Sequence, residues 1–387
     1  MFPKRSATAW IIILFITSLL VSDAKAGTLV IKPSLMIEES FDSNAFALSS
    51  GNEEGTLVTT ITPRIELIND LKELRLTGSY TLQSRYYPND SDWNYMTQNS
   101  RLGVTWNRRL TRNTSLSLSD FVSSLYSTTD SLQVTDIGIQ IRRSGSLSNT
   151  ASVALSHMLG QLYSVSLTAS DSLIKYDDPS SIDTRTDSAG INFSRHFMSM
   201  MSANASYTYT NFHFEKSMRD DTQAHSFQLG VSKQFPFDFI LNLSGGAVYS
   251  GDISDKYDWT GQARLSRSLE MSSIELAYSR GVTTSSGLTD EININDRGTL
   301  TWSRPLTRTM NMHLSGAYTQ NRTEPSSSLQ FESYDTSISA DWKPESSISV
   351  GVSYSHFQQW FDGASGTGFM KDQILISVTA YPEGWRF

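Results

Sequence analysis

Apolar and polar side chains alternate residue by residue through most of this chain. In the segment that begins at Tyr95, Met96, Leu102, Val104 and Trp106 share one parity, while Thr97, Asn99, Arg101, Gly103 and Thr105 share the other. Successive side chains of a strand point to opposite faces, so this period of two predicts a strand with one apolar and one polar face. The tight connection Arg109-Leu110-Thr111-Arg112-Asn113 leads into Leu116 and Leu118 on a return strand. The unit recurs as Leu74, Leu76, Tyr80 and Leu82 against Arg75, Thr77, Ser79 and Thr81. It returns as Phe239, Leu241, Leu243, Ala247 and Tyr249, and as Ile348, Val350, Val352 and Tyr354.

Short turns are expected near Asn69-Asp70, Leu110, Leu159-Gly160, Met198, Pro236, Glu270, Pro305 and Pro344, and longer loops rich in Asp, Ser, Asn and Gly lie between them. This alternation of eight short turns with nine longer loops predicts about eighteen strands, an even number as in bacterial outer-membrane barrels, with sixteen as the alternative. Two strand-like runs, Val134 to Arg143 and Thr150 to Met158, fall where only one crossing fits. Thr150 to Met158 is assigned to the wall, and the earlier run, within segment 127–149, to an external loop. The expected fold class is therefore all-β: a transmembrane antiparallel up-and-down barrel over 27–387.

The aromatic residues sharpen this. Trp and Tyr favour membrane interfaces, where an apolar ring keeps a polar tip wet. Tyr86, Tyr87, Trp93, Tyr95, Tyr126, Tyr176, Tyr249, Tyr257, Trp259, Tyr318 and Trp360 stand at the long-loop ends of the expected strands. Trp106, Phe197, Phe235, Phe237, Phe239, Trp302, Trp342 and Trp385 stand at the short-turn ends. A soluble sandwich or solenoid also alternates, but has no reason to carry two aromatic belts one strand apart. The chain finishes on a strand, Gln373 to Ala380, and a terminal aromatic, Phe387. That ending resembles the signal read by the outer-membrane assembly machinery, an expected partner together with outer-membrane lipid and lipopolysaccharide. Pro382, Glu383 and Gly384 interrupt the alternation, so the last residues are expected to form a short tail.

At the other end, Lys4 and Arg5 precede an apolar run from Trp10 to Val21, and Ala24-Lys25-Ala26 offers small residues for cleavage. The run is too short to cross ~30 Å of hydrocarbon as a helix, so residues 1–26 read as a secretory signal peptide. No later stretch reaches ~18 apolar residues, which excludes a helical membrane protein. Without Lys4, Arg5, Lys25 and Asp23 the chain carries 28 basic and 38 acidic residues. Such an acidic balance argues against a nucleic-acid partner, whose phosphates need a basic surface. There is no cysteine, hence no disulfide framework and no thiolate metal site.

The opening of the mature chain, Pro33-Ser34-Leu35-Met36-Ile37-Glu38-Glu39-Ser40-Phe41-Asp42-Ser43-Asn44-Ala45-Phe46, resembles the first strand of a family of outer-membrane β-barrel porins. In that family a Pro-containing strand ends at an aromatic-Asp-x-Asn turn. The Leu-Thr-Arg turns at Leu110 to Arg112 and Leu306 to Arg308 resemble it too. The resemblance implies a barrel encoded beside exopolysaccharide export or exosortase-type genes, acting as a conduit for a surface polysaccharide with export components as partners. Nothing in composition or spacing shows that substrate.

Little in the chain suggests an enzyme. The six histidines, His157, His196, His213, His225, His313 and His356, are scattered and lack the i, i+4 spacing of metal ligands. No Gly-x-Ser-x-Gly motif or phosphate-binding loop occurs. No cofactor and no catalytic residue is expected, and a barrel hydrolase assembled at one rim stands as the alternative of a different class. Asp90, Asp92, Asp177, Asp178, Asp183, Asp187, Asp220, Asp221, Asp252, Asp255 and Asp258 are expected on the long-loop side. They read first as solvated turn formers and second as carboxylates able to bridge to lipopolysaccharide through divalent cations. The polar face is the remaining functional surface. Arg64, Glu66, Glu73, Arg75, Arg85, Arg101, Arg264, Glu275, Arg297, Asp335 and Asp341, over many Ser and Thr, are expected to line a hydrated pore. Such a lining suits either a sugar chain or, as the alternative, general diffusion of small solutes.

Overall fold

In a computed structural model the residues described are 28–45, 53–88, 94–127, 144–179, 181–197, 200–215, 221–251, 256–284, 291–324, 330–362 and 368–386. The expected signal peptide, the Val134 to Arg143 run, Trp93 and Phe387 lie outside them. Strands occur where the alternation placed them. The first six are β1 (Thr28–Asp42), β2 (Thr56–Asp70), β3 (Leu74–Tyr86), β4 (Tyr95–Arg109), β5 (Thr114–Ser127) and β6 (Ser144–Leu159). Next come β7 (Tyr163–Tyr176), β8 (Thr184–Phe197), β9 (Met201–Phe214), β10 (Thr222–Phe235), β11 (Phe239–Gly251) and β12 (Lys256–Leu269). The last six are β13 (Ser272–Thr284), β14 (Ile292–Pro305), β15 (Met310–Glu324), β16 (Gln330–Glu345), β17 (Ile348–Asp362) and β18 (Phe369–Ala380).

Each strand is antiparallel to the next, and β18 pairs with β1 from Leu35↔Ala380 to Asp42↔Gln373, which closes an eighteen-stranded barrel. Closure leaves no free edge along that seam and satisfies the backbone within the sheet, as lipid requires. Thr150 to Met158 lies in the wall, within β6. The C-terminal tail departs from expectation: after the break at Pro382 to Gly384 the chain rejoins the seam, with Trp385 opposite Ile31 and Arg386 opposite Val30. Gly384 makes this possible, since a Cβ there would lie 2.7 Å from the carbonyl oxygen of Ile31.

The ladder register, followed from strand to strand, separates two faces. One carries Leu229, Leu243, Leu276, Ile374 and Ile376, each 47–57% exposed. A continuous exposed apolar band of this kind is the surface of a barrel in lipid, not of a soluble protein. Short turns mark the periplasmic end and long loops the extracellular end. Along β18 the apolar outer residues Val378, Ile376 and Ile374 give way to Asp372, which accepts a hydrogen bond from Tyr354 at 2.7 Å. Ala380 to Asp372 rises about 20 Å at ~3.3 Å per residue and ~40° tilt, near the ~25 Å height of an outer-membrane apolar band. At the same level elsewhere the outer face turns polar: Arg185 pairs with Asp171 and Asp187, and His356 lies 2.8 Å from Asp372. The protein is therefore an outer-membrane barrel, with its apolar band below this belt.

The belts are less uniform than expected. Tyr257, Trp259, Tyr318 and Trp360 are on the outer face, as are Trp302 and Trp342 at the other end. Tyr95 and Tyr176 instead share the register of inner-face residues, and Tyr87 is buried against Ala45 and Val58. The parity of these three was not apolar-out, so their position at strand ends did not make them membrane anchors. Asp187 and Asp258 stand at the long-loop ends expected for them, but not in the loops. Both lie within strands, Asp187 on the outer face of β8 and Asp258 on the inner-face register of β12.

Candidate functional site

The inner face of the barrel below the mouth is a lattice of hydroxyls and paired charges. Ser119–Ser152, Ser123–Ser148, Ser164–Ser194, Ser170–Ser188 and Ser315–Ser337 form cross-strand hydroxyl pairs at 2.6–2.8 Å. Serine recurs there because the parity facing water tolerates small polar side chains that would be costly in lipid. Arg64 and Glu66 pair at 2.5 Å on β2, and Arg264 and Glu275 at 2.5 Å across β12 and β13. These groups are a third to a half exposed, so the pairs are hydrated and worth little to stability. Their consequence is a lumen of mixed sign.

The residues expected to line a pore are distributed along this face. Arg64, Glu66, Arg101, Arg264, Glu275, Arg297, Asp335 and Asp341 have the inner-face parity of their strands. Asp341 lies 3.9 Å from His313. Arg75 also faces in, near the periplasmic end, 3.3 Å from Asp70. Glu73 stands in the exposed turn between β2 and β3, outside the strands. Arg85 is at the opposite end and only 5% exposed, with its guanidinium 5.9 Å from the Tyr95 ring. It is packed among side chains where an open lumen was expected.

An apolar spot on this face was missed by the sequence reading. Phe121 has inner-face parity, is 49% exposed, and covers Gly103, where an added Cβ would lie 2.7 Å from its ring. An aromatic lying over a cross-strand glycine fills the gap the glycine leaves. Phe121 and Leu125 border a cavity of about 440 Å³ together with Arg64, Glu66 and Arg101. The signal was present as an aromatic at a parity otherwise held by Ser119 and Ser123.

The extracellular end is built differently. Above the Gly261↔Arg280 pair the ladder between β12 and β13 stops, while β13–β14 and β14–β15 pair to their upper ends. Ile292 of β14 packs with Phe212, Phe214, Ala224 and Val248, which have the inner-face parity of β9 to β11, and Val282 packs against the same cluster. The outer-parity side of β13 and β14 thus faces the inner side of β9 to β11. The wall overlaps itself like a scroll, with the β13 edge inside the β12 edge.

One cluster of charges lies across the overlap. Arg322 Nη2 is 2.9 Å from Asp258 Oδ2, although β12 and β15 are three inter-strand spacings apart, ~14 Å along a plain wall. Arg280 donates to both carboxylate oxygens of Asp258 at 3.1 Å and to Asp296 at 2.5 Å, and its guanidinium sits 4.6 Å from the Trp259 ring centroid. Arg280 and Asp258 side chains are only 12% and 15% exposed. Charge-assisted bonds in such partly desolvated surroundings are the stronger kind. Side chains are buried elsewhere at the mouth as well: Thr319 and Asn321 on β15, Phe357 and Gln359 on β17, Lys371 on β18 and Thr60 on β2 are at most 1% exposed. A readable signal existed here as well, because Arg280 and Asp296 occupy positions where the alternation puts lipid-facing residues.

Among the described residues no group of His, Asp and Glu is placed to hold a metal ion. His213 bonds Asp221 and His356 bonds Asp372, both on the outer-face register.

No protein-family model matches the chain, and no curated protein matches it. Among solved structures it is similar in overall layout to Pseudomonas aeruginosa OccK7 (OpdD), with 11% identity over 93% of this chain and 100% of that one, TM-score 0.49. It is similar to Pseudomonas aeruginosa OccK2 (OpdF) at 11% identity over 91% and 98%, TM-score 0.47. The Pseudomonas aeruginosa siderophore receptor PirA is similar at 8% identity over 91% and 80%, TM-score 0.45. Likeness at this level concerns the barrel layout alone.

Proposed function

We propose that this protein is a channel for polar solutes across the outer membrane, with its narrowest point at the extracellular mouth. The observation that carries the reading is the inner face. Hydrated ion pairs and serine ladders line the barrel from the periplasmic end, around a wall too wide for side chains alone to fill at eighteen strands. Arg64, Glu66, Arg101, Arg264, Glu275, Arg297, Asp335 and Asp341 are the lining charges in this reading. Mixed signs favour small neutral or weakly charged solutes over strongly charged ones.

We favour passage of small solutes over export of a surface polysaccharide. A sugar polymer in transit needs a bore continuous along its whole length, and the folded-in upper ends of β13 and β14 take up space inside the mouth. The Phe41-Asp42-Ser43-Asn44 turn, which carried the resemblance to polysaccharide-associated porins, has a structural task at the seam that any substrate would permit. A hydrolase finds no support in the lumen. The bonded His–Asp pairs His213–Asp221 and His356–Asp372 face outward, and the inner-face pair His313–Asp341 stands 3.9 Å apart, beyond hydrogen-bond reach. The polar and aromatic belt above the apolar band is the surface offered to lipopolysaccharide headgroups, and residues 1–26 serve as the export signal.

Swelling of liposomes loaded with the purified barrel tests the reading. Uptake of mono- and disaccharides with a size cut-off is expected. A folded barrel that passes none of them, together with loss of exported polysaccharide on gene deletion, would reverse the preference.

A further inference from the structure

The free upper edges of β12 and β13 are matched. Continuing the register Gly261↔Arg280 upward would pair Thr260 with Gly281, Trp259 with Val282, Asp258 with Thr283 and Tyr257 with Thr284. That continuation also respects faces, since Trp259 and Val282 both have outer parity. A second arrangement of the same chain is therefore built into the sheet, in which the scroll unrolls and the ladder zips to the top.

Packing and charge hold the scroll together. The apolar contact is the cluster around Ile292, and beside it lies an open cavity of about 540 Å³ whose lining mixes Thr208, Ser226 and Gln228 with Phe212, Val248 and Val282. Between the two edges themselves, Thr260 Oγ1 donates to the Arg280 carbonyl at 2.8 Å and Arg280 Nε to the Trp259 carbonyl at 3.3 Å. The remaining contacts are ionic and converge on Asp258.

We propose that Asp258, with Arg280 and Arg322, is the latch of the extracellular mouth and sets the size limit of the channel: the three hold the β13–β15 ends inside β12, and releasing them widens the opening. Interfaces of this kind have two discrete arrangements and shift between them when one set of contacts is removed. Asp258 is the pivotal member because it accepts from both arginines across the overlap, whereas Asp296 and Glu324 bind the arginines from within the folded-in sheet. The size limit rests on the channel reading above. The latch does not.

The chain contains no cysteine, so a single thiol reports the overlap without background. Val248→Cys places it on the wall under Ile292, at a position 4% exposed. In the folded barrel, confirmed by its heat-modifiable gel mobility, a membrane-impermeant maleimide is expected to label it slowly. Adding Asp258→Asn, or separately Arg322→Gln, is expected to raise the labelling rate about tenfold or more, the effect of losing one charge-assisted hydrogen bond. Single-channel conductance of the same proteins is expected to rise with it. Unchanged labelling in both variants overturns the latch. Faster labelling with no conductance from any of the proteins overturns the channel reading, and with it the size limit, while the latch stands.

Discussion

The ammonium of Lys371 lies 2.7 Å from a carboxylate oxygen of Asp42, and neither side chain is exposed at all. The pair joins the last strand to the first at the top of the closing seam. Around it Asp42 Oδ1 accepts from the Asn44 backbone at 3.0 Å, Asn44 Nδ2 donates to the Met370 carbonyl at 3.0 Å, and the Asp372 backbone donates to Ser43 Oγ at 2.8 Å. The aromatic-Asp-x-Asn turn is thus a staple across the point where the barrel closes. Asp42→Ala strands a buried ammonium and should cost about 3–5 kcal/mol. Urea unfolding of the barrel in detergent measures this, and Asp42→Asn combined with Lys371→Met should recover most of the loss.

Much of this fold is written in the period-two pattern, and the reasons are local. Met96, Leu102, Val104 and Trp106 must share a face in any strand, and the turns near Leu110 and Gly160 fall where the pattern pauses. The partners of Asp42 and Asp258 were not legible. Lys371 and Arg322 reach them only through closure of the sheet and through its overlap, and from Ser272 to Thr284 the one break in the alternation is Arg280 at an apolar-out position, which marks a departure from lipid but names no partner. Arg85 was misjudged for the same reason: parity gave its face but not the crowding at its level.

Face assignment makes a paired prediction on one strand. Ile376 is 52% exposed on the lipid side of β18, and its neighbour Ser377 points into the lumen. Ile376→Arg should destabilise by about 2–4 kcal/mol in a lipid bilayer, and Ser377→Arg by less than about 1 kcal/mol. Equilibrium folding into liposomes compares them, and equal losses would mean the faces are reversed or the strand is not in lipid.

Gly246 and Gly245 differ as sharply. A Cβ on Gly246 would fall 1.8 Å from the carbonyl oxygen of Phe227, a backbone atom that cannot move aside, while one on Gly245 meets nothing within 4 Å. Gly246→Ala should cost about 3 kcal/mol or more and lower the yield of folded barrel. Gly245→Ala should leave the heat-modifiable band unchanged.

The lining charges predict ion preference. Arg64 and Arg101 border the same cavity beside Phe121. Replacing both by Glu exchanges two positive groups for two negative ones and should move the reversal potential in a tenfold salt gradient toward the cation limit of ~59 mV. A reversal potential that does not move would place these residues off the conduction path.

Conductance of the purified, folded protein in a planar lipid bilayer tests the central claim most directly. The account predicts discrete steps of current that scale with salt concentration, larger in Asp258→Asn than in the native chain. A barrel that inserts and remains folded, yet carries no current in either form, would contradict it.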